Sequence, residues 1–212
     1  MFYLVKKGFM DSRKNILGII LAGGQSRRMG TNKSIKEISG KKLIDIVLNR
    51  AQKQVDKIAV NSNTKINFNF AEKFEIIPDC VQGNLGPLVG ILTGMKWAKM
   101  QKKEYRWLVT FPVDSPFFPD NLIRKFLDSH SNEDVIIAKS NERLHPVFSL
   151  WNTNLVDSLE EELSRGVRKI EEFTKKFKTK VVNFSVIGYD PFFNINNAND
   201  LLIAEKVFQE NF

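Results

Sequence analysis

The chain has 212 residues, 42% of them hydrophobic and 26% charged, a balance that excludes a disordered tail or a membrane protein and leaves room for one α/β domain with a sizeable core. Its single cysteine, Cys80, cannot close an internal disulfide, and with only two histidines the chain excludes a Cys/His zinc centre and points to a reducing, cytoplasmic setting. The net charge of +8 calls for an anionic partner, but the cations are scattered and no nucleic-acid motif accompanies them, which favours a small anionic ligand over nucleic acid.

Residues 1–15 read as a flexible N-terminal extension, and 16–212 as a single domain. The extension has a short apolar patch without the order or length of a secretory signal, and Met10 is a second candidate start. No apolar run reaches the roughly 18 residues that would span a bilayer.

A strand is predicted over 17–21. It runs directly into Leu21-Ala-Gly-Gly-Gln-Ser-Arg-Arg-Met-Gly-Thr-Asn-Lys33. Gly23 and Gly24 allow φ > 0 and close backbone approach, so successive N–H groups can face phosphate oxygens. Arg27, Arg28 and Lys33 then supply two forked cations and one compact one. Neither Gly-x-Gly-x-x-Gly nor Gly-Lys-Ser/Thr is present, so neither familiar phosphate loop applies. A plain turn followed by solvated arginines is the alternative; the strand before and the three cations after weigh for a triphosphate loop.

A helix over 43–54 leads to a strand over 57–60 that ends at Asn61. The strand over 74–77 ends at Pro78-Asp79, where turn chemistry is one reading of the aspartate. Gly86-Pro-Leu-Val-Gly90 opens a helix over 88–98. The apolar strand over 107–111 stops at Pro112-Val-Asp-Ser-Pro116. A carboxylate there, facing a triphosphate, suits magnesium, which takes one or two protein carboxylates plus phosphate oxygens and water. An Asx-turn or a helix cap is the competing reading for Asp114.

Next come a helix over 121–128 and a strand over 135–138. His145 precedes Pro146 and is therefore biased to extended backbone at the start of a strand over 147–150. No triad partner stands near it in sequence, which favours a positioning or structural role. Helices over 153–163 and 167–173 and a strand over 180–184 follow. Asn194-Ile-Asn-Asn-Ala-Asn199 then introduces a last helix from Ala198 towards Val207, with Asn197 or Asn199 as its N-cap. Alternating strands and helices predict a mainly parallel sheet, whose ligand sits beyond the carboxyl ends of the strands. Gly23, Asn61, Asp79 and Asp114 each follow one of four successive strands.

Leu21-Ala-Gly-Gly-x-Ser-x-Arg-Met-Gly-x-x-Lys33 resembles the signature loop of nucleotidyltransferases with a GT-A-like fold, and in detail that of molybdenum cofactor guanylyltransferases. Asn61, Asp79 with Gly86-Pro-Leu-Val-Gly90, Pro112-Val-Asp-Ser-Pro116 and Asn194-Ile-Asn196 fall where that family would place them, so the resemblance spans about 16–208. It implies a three-layer α/β/α, Rossmann-like fold on a mainly parallel mixed sheet. It also implies transfer of GMP from GTP to molybdopterin, or its molybdenum-loaded form, with Mg²⁺ on Asp114 and release of pyrophosphate.

By the same resemblance Arg28, Lys33 and Asp114 are catalytic. Leu21, Ala22, Gly23, Gly24, Lys33, Asn61, Asp79, Gly86, Pro87, Leu88 and Asp114 bind GTP. His145, Arg168, Asn194 and Asn196 lie towards the pterin, and transient partners are the proteins that deliver molybdopterin and the molybdoenzyme clients. Two alternatives remain open from sequence: a CTP-dependent sibling, and an assembly adaptor that binds nucleotide without turnover.

Overall fold

In a computed structural model, described over residues 15–23, 36–66, 68–69, 71–83 and 85–212, seven strands form one mixed sheet. Its order is β5 (Glu75–Ile77), β4 (Lys57–Asn61), β1 (Ile16–Leu21), β6 (Trp107–Pro112), β8 (Arg143–Asn152), β7 (Val135–Ser140) and β9 (Thr179–Asn183). The first four run parallel, β8 is antiparallel to both neighbours, and β9 is parallel to β7. A two-stranded ribbon of β2 (Glu37–Ile38) and β3 (Lys41–Lys42) stands apart. Residues 1–14 lie outside the described residues, as do Gly24, Arg27, Arg28 and Lys33 of the loop.

Strand alternation divides the core between two faces. From β1, Ile16 and Ile20 join a cluster with α1 (Leu43–Ala51) and α3 (Leu122–Ser129), while Leu17 and Ile19 join one with α2 (Pro87–Lys99), α4 (Val156–Ser164) and α5 (Ile170–Thr174). The result is the expected three-layer α/β/α arrangement. A third cluster holds α6 (Ala198–Asn211) through Ala204 and Phe208 against Ile38, Leu43, Ile46, Phe117 and Ile195. Among the described residues no helix is long and apolar enough to cross a membrane.

Several elements depart from their expected bounds for local reasons. The first helix stops at Ala51 and not at 54. Gln54 leaves it to donate from Nε2 to the Pro119 carbonyl (3.0 Å) and to accept from the Ile123 N–H (3.2 Å), tying α1 to the start of α3. The helix expected from 153 begins as a single 3₁₀ turn over Thr153–Leu155, capped by the Asn152 side chain, and becomes α-helical only at Val156. The helix expected over 167–173 covers only Ile170–Thr174.

Strand β8 is longer than 147–150 because Asn141 and Glu142 both take positive φ (44° and 59°) and close a tight hairpin from β7. Its register jumps from Ile137↔Ser149 to Ala138↔His145, an irregularity that absorbs Pro146, which has no N–H for the ladder.

Candidate active site

Four parallel strands end in one row. Ile77 pairs with Asn61, Asn61 with Leu21, and Leu21 with Pro112, so the residues after each strand leave the sheet at the same edge. Backbone bonds continue the alignment past the strands: Ala22 donates to the Asn61 carbonyl (3.0 Å), Val113 to Leu21 (3.2 Å) and Ser62 to Ile77 (3.0 Å). Gly23, Asn61, Asp79 and Asp114, far apart in sequence, are thereby gathered along one edge.

Helix α2 closes the cleft from the outer layer. Gly86 precedes it with φ 80°, Pro87 fills the first helical position, where its missing N–H costs nothing, and Leu88 is fully buried beneath it, so its backbone is what it offers the cleft. The helix lies close on the sheet because two of its residues lack a side chain. A Cβ on Gly90 would stand 2.6 Å from Asn61 Oδ1 and 2.6 Å from Leu21 Cδ2; one on Gly94 would stand 2.9 Å from Leu108. Gly23 differs from expectation: its φ is not in the left-handed region. Among the described residues, a Cβ there would meet only Asn61 Oδ1, at 4.0 Å.

Asp79 is held by two asparagines. Its Oδ1 accepts from Asn61 Nδ2 (2.9 Å) and its Oδ2 from Asn63 Nδ2 (2.8 Å), while the Asp79 N–H donates back to Asn63 Oδ1 (2.8 Å). Asn61 Nδ2 also donates to the Ile77 carbonyl (3.1 Å). Thr93 on α2 anchors the following residue, accepting from the Cys80 N–H (2.9 Å) while its own hydroxyl donates to Val89 (2.8 Å).

The second side of the cleft is built around Asp114. The Ile195 N–H donates to the Asp114 carbonyl (2.8 Å), which brings Asn194 and Asn196 beside that aspartate. Helix α6 fixes this loop by a capping box. Asn197 Oδ1 accepts from the Asp200 N–H (2.9 Å), and Asp200 Oδ2 accepts from the N–H groups of Asn196 (2.8 Å) and Asn197 (3.2 Å). Of the two expected caps, Asn197 is the one used. Among the described residues, Asn194 Oδ1 is buried without a hydrogen-bond partner.

His145 is buried among protein groups. Its Nε2 bonds Ser140 Oγ (2.7 Å), the Ser140 hydroxyl donates to Asp190 Oδ1 (2.7 Å), and that oxygen also accepts from the Phe192 N–H (2.9 Å). The ring lies 4.8 Å from that of Phe192, just before Asn194. Since the serine proton goes to the aspartate, the group is a brace for the loop and not a nucleophile with its base. Burial lowers the His145 pKa, with Asp190 opposing and Arg143 reinforcing that effect. Arg168 donates from Nη1 to the carbonyls of Leu163 (2.7 Å) and Val167 (2.8 Å), closing the end of α4, and its own carbonyl lies 3.4 Å from where a Gly86 Cβ would stand.

The family described as the MobA-like NTP transferase domain matches residues 18–179. The chain belongs to this family. A molybdenum cofactor guanylyltransferase from Rhizobium rhizogenes is 36% identical over 207 residues, covering 94% of this chain and 95% of that protein. Among solved structures, the molybdopterin-guanine dinucleotide biosynthesis protein A from Archaeoglobus fulgidus superposes with a TM-score of 0.70 at 25% identity, over 92% of this chain and 99% of that one. A Mycobacterium tuberculosis protein solved with manganese shares the fold at 11% identity, with a TM-score of 0.63 over 91% of this chain and 98% of that one.

The residues of this transferase fit a hard divalent cation. Asp114 would offer a carboxylate and Asn194, in the loop bonded to it, an amide oxygen without a partner among the described residues, so the donors on offer are oxygens. Among the described residues no group of three His, Cys, Asp or Glu side chains stands together, so a cation at Asp114 would complete its shell with substrate phosphates and water.

Asn63, Thr93 and Asp200 were not read from sequence as site residues. Only Asn63 carried a signal: it repeats Asn61 at a spacing of two, immediately after a strand.

Proposed function

We propose that the protein transfers GMP from GTP to molybdopterin or its molybdenum-loaded form, yielding the guanine dinucleotide cofactor and pyrophosphate. The observation that supports this reading is the backbone bond from the Ile195 N–H to the Asp114 carbonyl, which joins the Asn194–Asn196 loop to the segment that follows the central strand. The strong likeness to relatives named molybdenum cofactor guanylyltransferase supports the choice of substrates.

In this reading the terminal phosphate of the pterin attacks the α-phosphorus of GTP in line. A P–O bond forms to the attacking oxygen as the bond to the β-phosphate breaks, and the attacking phosphate is already ionised, so no side chain has to take a proton. Catalysis is then positioning and charge stabilisation. The amides of Gly23 and Gly24 and the cations of Arg28 and Lys33 would bind the triphosphate, Arg28 and Lys33 offsetting the charge that grows on the leaving group. Asp114, with Asn194 beside it, would hold Mg²⁺, which when bound neutralises phosphate charge. Leu21, Ala22, Asn61, Asp79 and the Gly86-Pro87-Leu88 turn would frame the nucleoside; Asn194 and Asn196, in the loop braced by His145, would contact the pterin, and Arg168, beyond the Nη1 bonds that close α4, would pair with its phosphate. The reaction belongs in the cytoplasm, where thiols such as Cys80 stay reduced.

Incubating the protein with molybdopterin, Mg²⁺ and each of GTP, CTP, ATP and UTP, and following pyrophosphate, tests the reading. Release with GTP alone is expected. Release driven by CTP would make the protein a cytidylyltransferase, and none with any nucleotide would make it a binder without turnover.

A further inference from the structure

Asp79 has more partners than turn chemistry requires, and their arrangement is directional. Both of its carboxylate oxygens already accept one amide N–H each, from Asn61 and Asn63. An ionised carboxylate offers about four acceptor sites, so among the described residues about two remain, one on each oxygen. Asn61 has spent both Nδ2 hydrogens, on Ile77 and Asp79, which leaves only its Oδ1 to offer. The cluster therefore presents acceptors to a ligand at this strand end.

Guanine alone among the four bases carries two adjacent donors on its pairing edge, N1–H and the exocyclic amine. Cytosine and adenine each set one amine beside a ring acceptor, and uracil flanks its single N–H with carbonyls.

Asn63 decides whether the carboxylate can serve in this way. Its amide closes a two-point ring with Asp79, accepting from the main-chain N–H and donating to Oδ2. That reciprocal pair fixes the plane of the carboxylate and leaves no ambiguity about which end of the Asn63 amide is which. The Asn63 backbone is held in turn by Ser62, whose hydroxyl donates to the Thr64 carbonyl (2.9 Å) and accepts from the Thr64 N–H (3.2 Å). We propose that Asn63 is a positioning residue for base selection, orienting Asp79 so that its two outward acceptor sites meet the paired donors of guanine. The inference rests on the guanylyltransferase reading above and deepens it.

The test uses calorimetric titration at pH 8 with Mg²⁺ and three nucleotides: GTP, ITP (which keeps N1–H and lacks the amine) and CTP. Losing one hydrogen bond to a charged acceptor costs about tenfold in affinity, so the wild-type protein should bind GTP about tenfold more tightly than ITP. Asn63→Ala, at an exposed position, removes both bonds. Asn63→Asp keeps the acceptor for the Asp79 N–H but sets a second carboxylate where the donor stood. In both variants the GTP-to-ITP ratio should fall close to one, because GTP loses the bonds from N1–H and from the amine while ITP loses only the one from N1–H.

A ratio that stays at its wild-type value in either variant, or a uniform loss for GTP and ITP alike, overturns the role of Asn63, the latter being what mere loop packing would produce. A wild-type protein that binds GTP no better than ITP also overturns it. If the wild-type protein binds CTP as tightly as GTP, the guanylyl reading itself fails and takes this inference with it, whereas failure in the variants of a GTP-selective protein removes the inference alone.

Discussion

The side-chain oxygen of Asn61 lies directly over Gly90, 2.6 Å from where a Cβ on that glycine would stand. Asn61 is pinned by its bonds to Ile77 and Asp79, so it cannot swing away without releasing the aspartate. Gly90→Ala should therefore cost about 1–3 kcal/mol in denaturant unfolding, as overpacking does, and also weaken nucleotide binding. The atoms nearest a Cβ on Gly94 belong to the Leu108 and Ile19 side chains, so Gly94→Ala should destabilise the fold while nucleotide affinity measured on the folded protein stays near wild type. Equal effects of both variants on binding would show that Asn61 is not the link.

Asp114 acts through two different groups. Its carbonyl accepts from Ile195, and its carboxylate is the proposed cation ligand. Asp114→Asn leaves the carbonyl in place, so the melting temperature should change little and GTP binding should weaken only in part. Metal-dependent pyrophosphate release should fall by about 10²-fold or more, the scale of losing one transition-state electrostatic contact. Near-normal release would assign Asp114 to turn formation.

Asp200 holds the backbone of Asn196 and Asn197 through its carboxylate. Asp200→Ala should cost about 0.5–2 kcal/mol of stability as a lost cap, and should raise the KM for the pterin substrate with GTP affinity intact. Steady-state kinetics with each substrate varied in turn separates the two; a rise confined to GTP would misplace the asparagine loop.

His145 gives a pH dependence of definite sign. Burial holds its folded pKa below the ordinary 6.5. Between those two values the unfolded chain binds a proton that the folded one does not, so its contribution to stability is full above about pH 6.5 and is lost as pH falls through the window below. Melting temperatures from pH 7.5 down to 5 should drop in the wild-type protein and drop less in His145→Gln, which can still donate to Ser140. Parallel curves would show that His145 does not carry this dependence.

Much of the cleft was legible in sequence because strand ends leave local marks. A buried apolar run followed at once by Gly23, Asn61, Asp79 or Asp114 announces both a strand and its exit. The capping box at Asn197 was legible for the same reason, since an N-cap bonds its own next turn. The brace of Ser140, His145 and Asp190 was not: its members come from a hairpin and a loop about 50 residues on, joined by no periodicity. The short extent of α1 was hidden too, because Gln54 obeys a contact with Pro119 and Ile123 that helix propensity does not encode.

Local chemistry thus determined the layered fold, the parallel strands and which residue types stand at their ends, because alternation, helix caps and glycine turns are short-range rules. Register was decided only in three dimensions. Hydrogen bonding between strands places Ile77, Asn61, Leu21 and Pro112 in one row, and a slip of one residue would send these side chains to the opposite face. The clamp of Asn63 on Asp79 and the seating of Ile195 on Asp114 depend on that row, since both join segments whose separation in sequence gives no hint of contact.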